Sequence, residues 1–416
     1  MLKEDLLEQV LDPENMRAAY AAVKRNGGAA GIDGIETEQL GVHLHAHWVG
    51  IKAKLYEGRY KPAPVKPVRI AKPGGGERLL GIPTTVDRVI QQALQQVLSG
   101  ILDKTFSDAS YGYRPGRSAH DAIRQAQYYV VEEQRDWVVD LDIEQFFDRI
   151  DHDLLMRDLS YHVCDKRVLK LVGKYLRAGV LEDGHVTRSA KGTPQGSPLS
   201  PILANLYLDR LDKELESRGV AFVRYADDMT LYARSERSAQ RIMTNIVPWI
   251  EKHLKLQANA RKSRVRRPHE GSFLGFVIRP DGQIGISEKT IMRYQARVRV
   301  IWDVQGSMSG KERIKMWRDY ARGWSNYYRL CEWRYPIRDL SAWTRRHIRK
   351  YFWLRWHNYQ GRRNAIGKLG ATAQQLRLAS SSRGAWRVSL ALNSTLTNAC
   401  LKRWGLLAPT DLMVAI

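Results

Sequence analysis

Phe222-Val223-Arg224-Tyr225-Ala226-Asp227-Asp228-Met229-Thr230-Leu231-Tyr232 sets an Asp-Asp pair between two runs of strand-forming residues. Aromatic and β-branched residues on both sides predict a β-hairpin with the acids at its tip. Two adjacent carboxylates repel one another and add nothing to a core. Asp is also a common turn residue, so the pair taken alone reads as a solvated turn rather than a site.

Two further stretches decide between those readings. Trp137-Val138-Val139-Asp140-Leu141-Asp142-Ile143-Glu144-Gln145-Phe146-Phe147-Asp148 is a second apolar strand that ends in acids and runs into two aromatics. If Asp142 and Asp227 end adjacent strands, three carboxylates converge, and hard divalent cations with oxygen ligands relieve their repulsion. Two such ions can activate a hydroxyl and stabilise leaving pyrophosphate, which is nucleotidyl-transfer chemistry. Gly192-Thr193-Pro194-Gln195-Gly196-Ser197-Pro198-Leu199-Ser200-Pro201 is a tight loop leading into a helix, with Ser200 as expected N-cap and Pro201 as first helical residue. Leu203, Leu206, Tyr207 and Leu211 then form one apolar face. A capped core helix explains that face; the loop suits close backbone approach to a base pair.

Outward from these stretches, residues 1–60 read as helices around the Gly-rich break Gly27–Gly34. Lys61–Ile82 alternates as a hairpin whose tip is Lys72-Pro73-Gly74-Gly75-Gly76-Glu77-Arg78. Helices mixed with short strands, without regular βα alternation, predict an α+β domain followed by an all-α one. The expected divisions are 1–285, a helical 286–365 and a small basic segment 366–416.

Composition restricts the partners. Of 416 residues, 67 are Lys or Arg and 44 Asp or Glu, a net charge of +23. From Ile286 onward the net charge is +18, leaving +5 for everything before, and nine of the twelve tryptophans share that C-terminal third. Concentrated positive charge among aromatic rings marks nucleic-acid binding. Cys164, Cys331 and Cys400 are too scattered for a disulfide framework or a zinc module. The N-terminus lacks the layout of a secretory signal, and no run approaches the roughly 18 apolar residues of a membrane span. A soluble intracellular protein is expected.

The three stretches occur together with Leu80-Gly81-Ile82-Pro83, Asp87-Arg88, Tyr111-Gly112-Tyr113-Arg114-Pro115-Gly116-Arg117-Ser118-Ala119-His120, Phe273-Leu274-Gly275-Phe276 and Tyr320-Ala321-Arg322-Gly323-Trp324-Ser325-Asn326-Tyr327-Tyr328. In this order and spacing the set resembles the group II intron-encoded reverse transcriptase/maturase family over nearly the whole chain. Gly27–Gly34 resembles that lineage's additional N-terminal motif. The sequence ends at Ile416 without a Cys/His-rich nuclease cluster, which resembles the bacterial endonuclease-lacking, class C-like kind.

The resemblance implies a right-hand polymerase: fingers, a palm with an antiparallel sheet, an all-α thumb/maturase domain and a basic C-terminal DNA-binding segment. It implies RNA-directed DNA synthesis with two Mg²⁺ ions, Mn²⁺ able to substitute, held by Asp142, Asp227, Asp228 and the Ile143 carbonyl. Phe147 matches a ring that crowds a ribose 2′-OH, its alternative being core packing beside Phe146. Gln195 matches a residue beside the incoming base pair, Lys262 one that protonates leaving pyrophosphate, and Phe273–Phe276 a grip on the primer end. Lys72 and Arg78 bracket the fingertip as triphosphate-binding cations. Arg114 and Arg117 are expected on template or triphosphate, although Arg-Pro-Gly-Arg also suits a surface turn.

In the thumb stretch, Arg345, Arg349, Phe352 and Trp356 share a helix face expected to track a duplex backbone. Trp343, His347, Tyr351 and Leu354 share the expected core face. Implied partners are group II intron RNA, a template–primer duplex, dNTPs and target DNA, with splicing assistance and retrohoming, and with homodimers admitted. Two alternatives remain: a host-adopted reverse transcriptase without an intron partner, acting in repair or defence, and a non-catalytic RNA chaperone.

Overall fold

The computed structural model describes residues 5–71, 76–182, 184–187, 190–379 and 389–413. Packing divides the chain into two units, Met1–Arg267 and Pro268–Ile416. The first begins with α1 (Leu6–Val10), α2 (Pro13–Asn26) and α3 (Leu40–Tyr56). Asp12 starts α2 by accepting the Glu14 and Asn15 N–H groups, Pro13 occupies the first turn, and Gly27 ends the helix at φ +61°. The fingertip strands β1 (Lys66–Ala71) and β2 (Glu77–Ile82) pair antiparallel, followed by α4 (Thr85–Leu102) and α5 (Ala119–Val131).

The central sheet uses β3 (Trp137–Leu141) and, later, three further strands. Between lie α6 (Phe146–Arg149), α7 (His152–Ser160), α8 (Lys166–Leu176), the small hairpin β4 (Val180–Glu182) with β5 (His185–Thr187), and α9 (Ser200–Ser217). The hairpin β6 (Ala221–Tyr225) and β7 (Asp228–Ala233) follows, then α10 (Glu236–Leu254) and β8 (Arg264–Arg266). The antiparallel order is β6-β7-β3-β8, so all three strand segments expected from the sequence form, and β7 rather than β6 lies beside β3.

One correction concerns α9. Ser200 is helical and does not cap: its hydroxyl donates to the Pro194 carbonyl at 2.8 Å and meets the Thr193 hydroxyl at 2.6 Å. The bond folds the preceding loop back on the helix. Leu203, Leu206, Tyr207 and Leu211 are buried as expected, but so are Asn205, Asp209 and Asp212, making α9 a central helix rather than an amphipathic one.

The polar residues inside this unit are paired. Arg224 on β6 and Asp212 on α9 form an ion pair with both side chains fully buried, and Arg224 also donates to Asn205 Oδ1 at 2.9 Å and to the Ala226 carbonyl at 3.0 Å. Buried Asp87 accepts from Tyr60, Ala63 N–H, Thr84 and Tyr175. That carboxylate joins α4 to α8 and to the segment before β1.

The second unit begins with the hairpin β9 (Phe276–Ile278) and β10 (Ile284–Ile286), then α11 (Glu288–Ile301), α12 (Gly310–Tyr328), α13 (Tyr335–Arg355), α14 (Tyr359–Lys368), α15 (Ala373–Ala379), α16 (Ser389–Thr395), α17 (Asn398–Arg403) and α18 (Pro409–Leu412). Its start precedes the division expected at Ile286. The Ile284 carbonyl accepts the Glu332 and Trp333 N–H groups, and the Phe276 ring packs 5.6 and 5.1 Å from Tyr327 and Tyr328, so the hairpin folds with the helices. The 366–416 segment likewise shares the helical core: Leu396, Cys400, Leu401 and Leu406 are buried with Trp302, Trp317, Leu340 and Ile348.

That packing overturns the expected face of α13. Arg349 is buried, donating to the Leu396 carbonyl at 2.8 Å and to Asn398 Oδ1 at 2.7 Å; Arg345 bonds the Asp411 carboxylate at 2.9 Å. Both guanidiniums fasten the C-terminal helices to α13 and are not free to track a duplex. Phe352 and Trp356 pack in the same core. Leu354, assigned to the core face, is exposed. Among the described residues no helix is long and apolar enough to cross a membrane.

Asp212→Ala strands the Arg224 charge in the core, and breaking a buried pair in this way costs about 3–5 kcal/mol. Urea denaturation should show a midpoint lowered accordingly, and an unchanged midpoint would contradict the role of the pair.

Candidate active site

The β6–β7 turn presents Asp227 and Asp228. In register, Tyr225 faces Asp228 on one side, and Met229 faces Leu141 on the other, so Asp142, one residue beyond Leu141, comes beside Asp228. The turn is forced. Ala226 sits at φ +58°, its carbonyl held by Arg224, and the neighbouring loop runs against it: Tyr111 N–H bonds the Arg224 carbonyl at 2.8 Å and Asn205 Nδ2 the Gly112 carbonyl at 2.8 Å. A Cβ on Gly112 would lie 2.4 Å from the Ala226 nitrogen. Only glycine admits this approach.

Asp142 is placed from the other side. Its N–H bonds Ser263 Oγ at 3.1 Å and its carbonyl accepts from Asn259 N–H at 2.8 Å, clamping the end of β3 to the loop before β8. Neighbouring acids are already committed: Asp140 to Arg266 at 2.8 Å and Glu144 to Arg149 at 3.2 Å. Asp142 meets the Lys262 ammonium at 3.0 Å. Ile143 is buried, bridged to Ala258 in the same clamp.

The electrostatics match a cation site. Burial, then Asp142, raises the Asp227 carboxyl above the usual carboxylate range. Asp228 lies at the exposed tip, yet crowding by surrounding atoms and repulsion from Asp227 and Asp142 push it up to about 6, against Lys262 and Arg78. Carboxyls that destabilise one another fit a divalent metal, which would remove that repulsion. No group of three or more His, Cys, Asp or Glu is closely enough disposed to hold an ion as the side chains stand, among the described residues.

Beside the carboxylates opens a cleft of about 540 Å³ lined by Arg78, Arg88, Tyr113, Phe147, Gln195 and the Gly27–Ala29 loop. Phe147 is half-buried with its ring edge-on to Phe146 at 5.2 Å, so it packs on the core and still lines the cleft. The Gln195 loop is locked to it: Thr193 N–H bonds the Phe147 carbonyl at 2.8 Å, and Gly192, at φ +87°, lies so close that a Cβ would reach the Asp148 carbonyl at 2.8 Å. The Gln195 carbonyl accepts Gly81 N–H at 2.9 Å, tying loop to fingertip hairpin. Arg78 is exposed at that hairpin's end, while Lys72 lies outside the described residues.

Two expected contacts are structural instead. Arg114 is buried and bonds Asp103 Oδ1 at 2.7 Å and the carbonyls of Asp103, Ser107 and Ser110, so it braces a loop and cannot grip template or triphosphate. Arg117 pairs with Asp108. In the second unit, Phe276 is buried against Tyr327 and Tyr328; Phe273, Leu274 and Gly275 form the turn beside it, with the Leu274 carbonyl bonded by Tyr327 at 3.0 Å.

Sequence reasoning missed the supports. Arg224, Asp212 and Asn205 set the Asp-Asp turn, and only a charged residue inside an apolar strand hinted at the first. Arg88 bonds the Gly27 and Ala29 carbonyls, joining the Gly-rich stretch to the cleft. Tyr113, at φ +57°, stands 6.4 Å from the Tyr225 ring, and burial and then Asp227 raise its phenol.

With this geometry in place, comparison with known proteins defines the class. Residues 70–278 match the model for reverse transcriptase (RNA-dependent DNA polymerase), and 291–370 match the group II intron, maturase-specific domain. The chain belongs to the reverse transcriptase family and carries that maturase-specific domain, as group II intron-encoded proteins do. It is 29% identical to protein YkfC of Escherichia coli (strain K12) over 65% of this chain and 81% of that protein. It is 36% identical to the group II intron-encoded protein LtrA of Lactococcus lactis subsp. cremoris over 50% of this chain, spanning 34% of LtrA's length. A chain of a Cas6-RT-Cas1--Cas2 complex matches at 27% identity over 60% of this chain and 41% of its own, with TM-score 0.39.

Two outcomes follow. Because Asp228 has a folded pKa above its unfolded value, its contribution to stability is present at low pH and lost as pH rises through about 6. Asp228→Asn should therefore raise thermal stability at pH 7–8, with the gain vanishing near pH 4; an equal gain at both would contradict the repulsion. Gly112→Ala should displace the Asp227–Asp228 turn and reduce primer extension by about 100-fold, with the circular dichroism spectrum retained.

Proposed function

We propose that the chain copies RNA into cDNA at Asp142, Asp227 and Asp228 with Mg²⁺, Mn²⁺ substituting, and that its helical unit binds group II intron RNA to assist splicing and retrohoming in the cytoplasm. The observation that carries the polymerase reading is the convergence of three mutually repelling carboxylates at the edge of a cleft lined by Phe147, Gln195 and Arg78. When bound, two ions would supply charge neutralisation and activation of a primer 3′-hydroxyl.

The remaining roles belong to side chains of this chain. Arg78 offers a planar fork to a triphosphate entering the cleft. Phe147 crowds the sugar, with its ring fixed against Phe146 so that it cannot swing clear. Gln195 flanks the incoming base pair on a loop whose backbone is held at both ends. Lys262 is poised to give a proton to departing pyrophosphate, and its tether to the Asp142 loop keeps it there. The Phe273–Phe276 turn supports the primer end through the half-buried Phe273, Leu274 and Gly275, since its last ring is committed to the core. Template–primer duplex, dNTPs and target DNA are the nucleic-acid partners, and the match over 291–370 favours an intron RNA among them.

Asp227→Ala should abolish cDNA synthesis on a poly(A)/oligo(dT) substrate while sparing RNA binding; equal activity in both proteins would sink the assignment. Phe147→Ala should raise ribonucleotide incorporation relative to deoxyribonucleotide by roughly 10–200-fold, read in single-nucleotide extension. RNA affinity should fall steeply with salt, each neutralised phosphate adding about −0.7 to −0.9 to the slope of log K against log salt.

A further inference from the structure

Tyr113 is a large ring held out of the core by neighbours that are fixed within it. Tyr111, Gly112 and Arg114 are buried, whereas Tyr113 is 55% exposed. Gly112 is pinned against the Ala226 nitrogen, and Arg114 bonds one carboxylate and three carbonyls, so the residue between them has little freedom to relax. It takes φ +57°, a left-handed conformation that residues with a Cβ rarely adopt. Glycine or asparagine would hold that backbone with less strain. The ring itself is therefore what the position supplies, and strained residues of this kind gather at functional sites. Packing does not account for it, since its ring contact, Tyr225, lies 6.4 Å away at a 40° tilt.

The surroundings indicate what the ring meets. Tyr113 lines the same cleft as Arg78, Phe147 and Gln195. Burial first and then Asp227 raise its phenol, which sets the hydroxyl on the Asp227 side and keeps it protonated as a donor. Among the described residues that hydroxyl has no hydrogen-bond partner. The sugar, triphosphate and base of an incoming nucleotide already have Phe147, Arg78 and Gln195. What must also lie over the carboxylates is the base pair at the primer terminus, whose 3′-hydroxyl reacts there. Every Watson–Crick pair carries an acceptor on each base along its minor-groove edge, purine N3 or pyrimidine O2. One donor can thus bind a correct pair of any sequence, while a mispaired terminus moves the acceptor away.

We propose that Tyr113 determines pairing specificity: its hydroxyl donates to a minor-groove acceptor of the primer-terminal base pair and holds the 3′-hydroxyl in line only when that pair is correct. This role rests on the polymerase reading and adds to it a check on the end just made. Tyr113 acts on the duplex rather than on the incoming nucleotide, so its loss falls on kcat and spares the nucleotide KM.

Primer extension by the full chain on an RNA template tests this role, with DNA primers ending in a matched or a mismatched pair. Tyr113→Phe keeps the ring and removes the donor. It should lower kcat on the matched end by about tenfold, as expected for one lost hydrogen bond. The dNTP KM and extension from the mismatched end should hardly change, so discrimination falls by the same factor. A terminal pair containing 3-deazaguanine, which lacks the N3 acceptor, should slow the wild type similarly when placed in one of the two strands, and slow Tyr113→Phe no further. Tyr113→Asn, which relieves the backbone, should lose the same discrimination yet unfold no earlier than the wild type in a thermal melt. Equal losses on both ends, an effect confined to the dNTP KM, losses that add with 3-deazaguanine, early melting of Tyr113→Asn, or a Tyr113→Phe protein as selective as the wild type would each overturn the role and leave the polymerase reading intact. A wild type that extends no primer at all would remove that reading, and this role with it.

Discussion

The fully buried pair between Arg224 and Asp212 is the constraint on which the site depends. A guanidinium in an apolar strand is tolerable only with its partners in place, and here those partners define geometry: Asp212 and Asn205 on α9, and the Ala226 carbonyl in the turn itself. The same Arg224 backbone receives Tyr111 and donates to Ala109. One side chain thereby fixes helix, hairpin and neighbouring loop together. Buried ion pairs are weak evidence of net stability, but they are costly to break and so hold one arrangement against others. The arrangement held is an Asp-Asp turn whose carboxyls repel, a conformation the turn would not favour alone.

The same economy of polar residues recurs. Asp87 gathers four donors and joins three segments behind the cleft; Arg88 secures the Gly-rich stretch through two carbonyls; Ser200 folds the Gln195 loop onto its own helix. These groups make no approach to a substrate in the proposed scheme. They pre-position those that do, so that little reorganisation is left to the moment of reaction. In the second unit, Arg345 and Arg349 serve the packing of the C-terminal helices in the same way. Its large positive charge must therefore act through other, exposed cations, and its tryptophans chiefly build a core that basic helices could not otherwise form.

The α+β character, the three strand segments and the hairpin at Asp227–Asp228 were legible because alternation and turn chemistry are local properties. The placement of Asp142 was legible too, since an acid just past an apolar strand has few structural uses. Arg114, Arg345 and Arg349 were misread for one physical reason. An arginine in a sequence carries the same charge whether it reaches solvent or bonds carbonyls and carboxylates inside the protein, and only the surrounding fold supplies those acceptors. Helix periodicity begins near Ile286, whereas packing divides the chain before the hairpin that precedes it, because that hairpin bonds residues around Glu332 and packs on Tyr327 and Tyr328, a contact no local pattern announces.

By itself, the sequence determined the class of fold, the family, the carboxylates and the two-part distribution of charge, because each follows from residue type and short-range spacing. The tertiary structure decided which charges are available. It committed Asp140 to Arg266 and left Asp142 facing Asp228, buried Arg349, and paired Arg345 with Asp411, although both arginines were expected on a duplex. Those outcomes depend on what lies across a sheet or a helix interface, and long-range neighbours are set by packing rather than by adjacency in the chain.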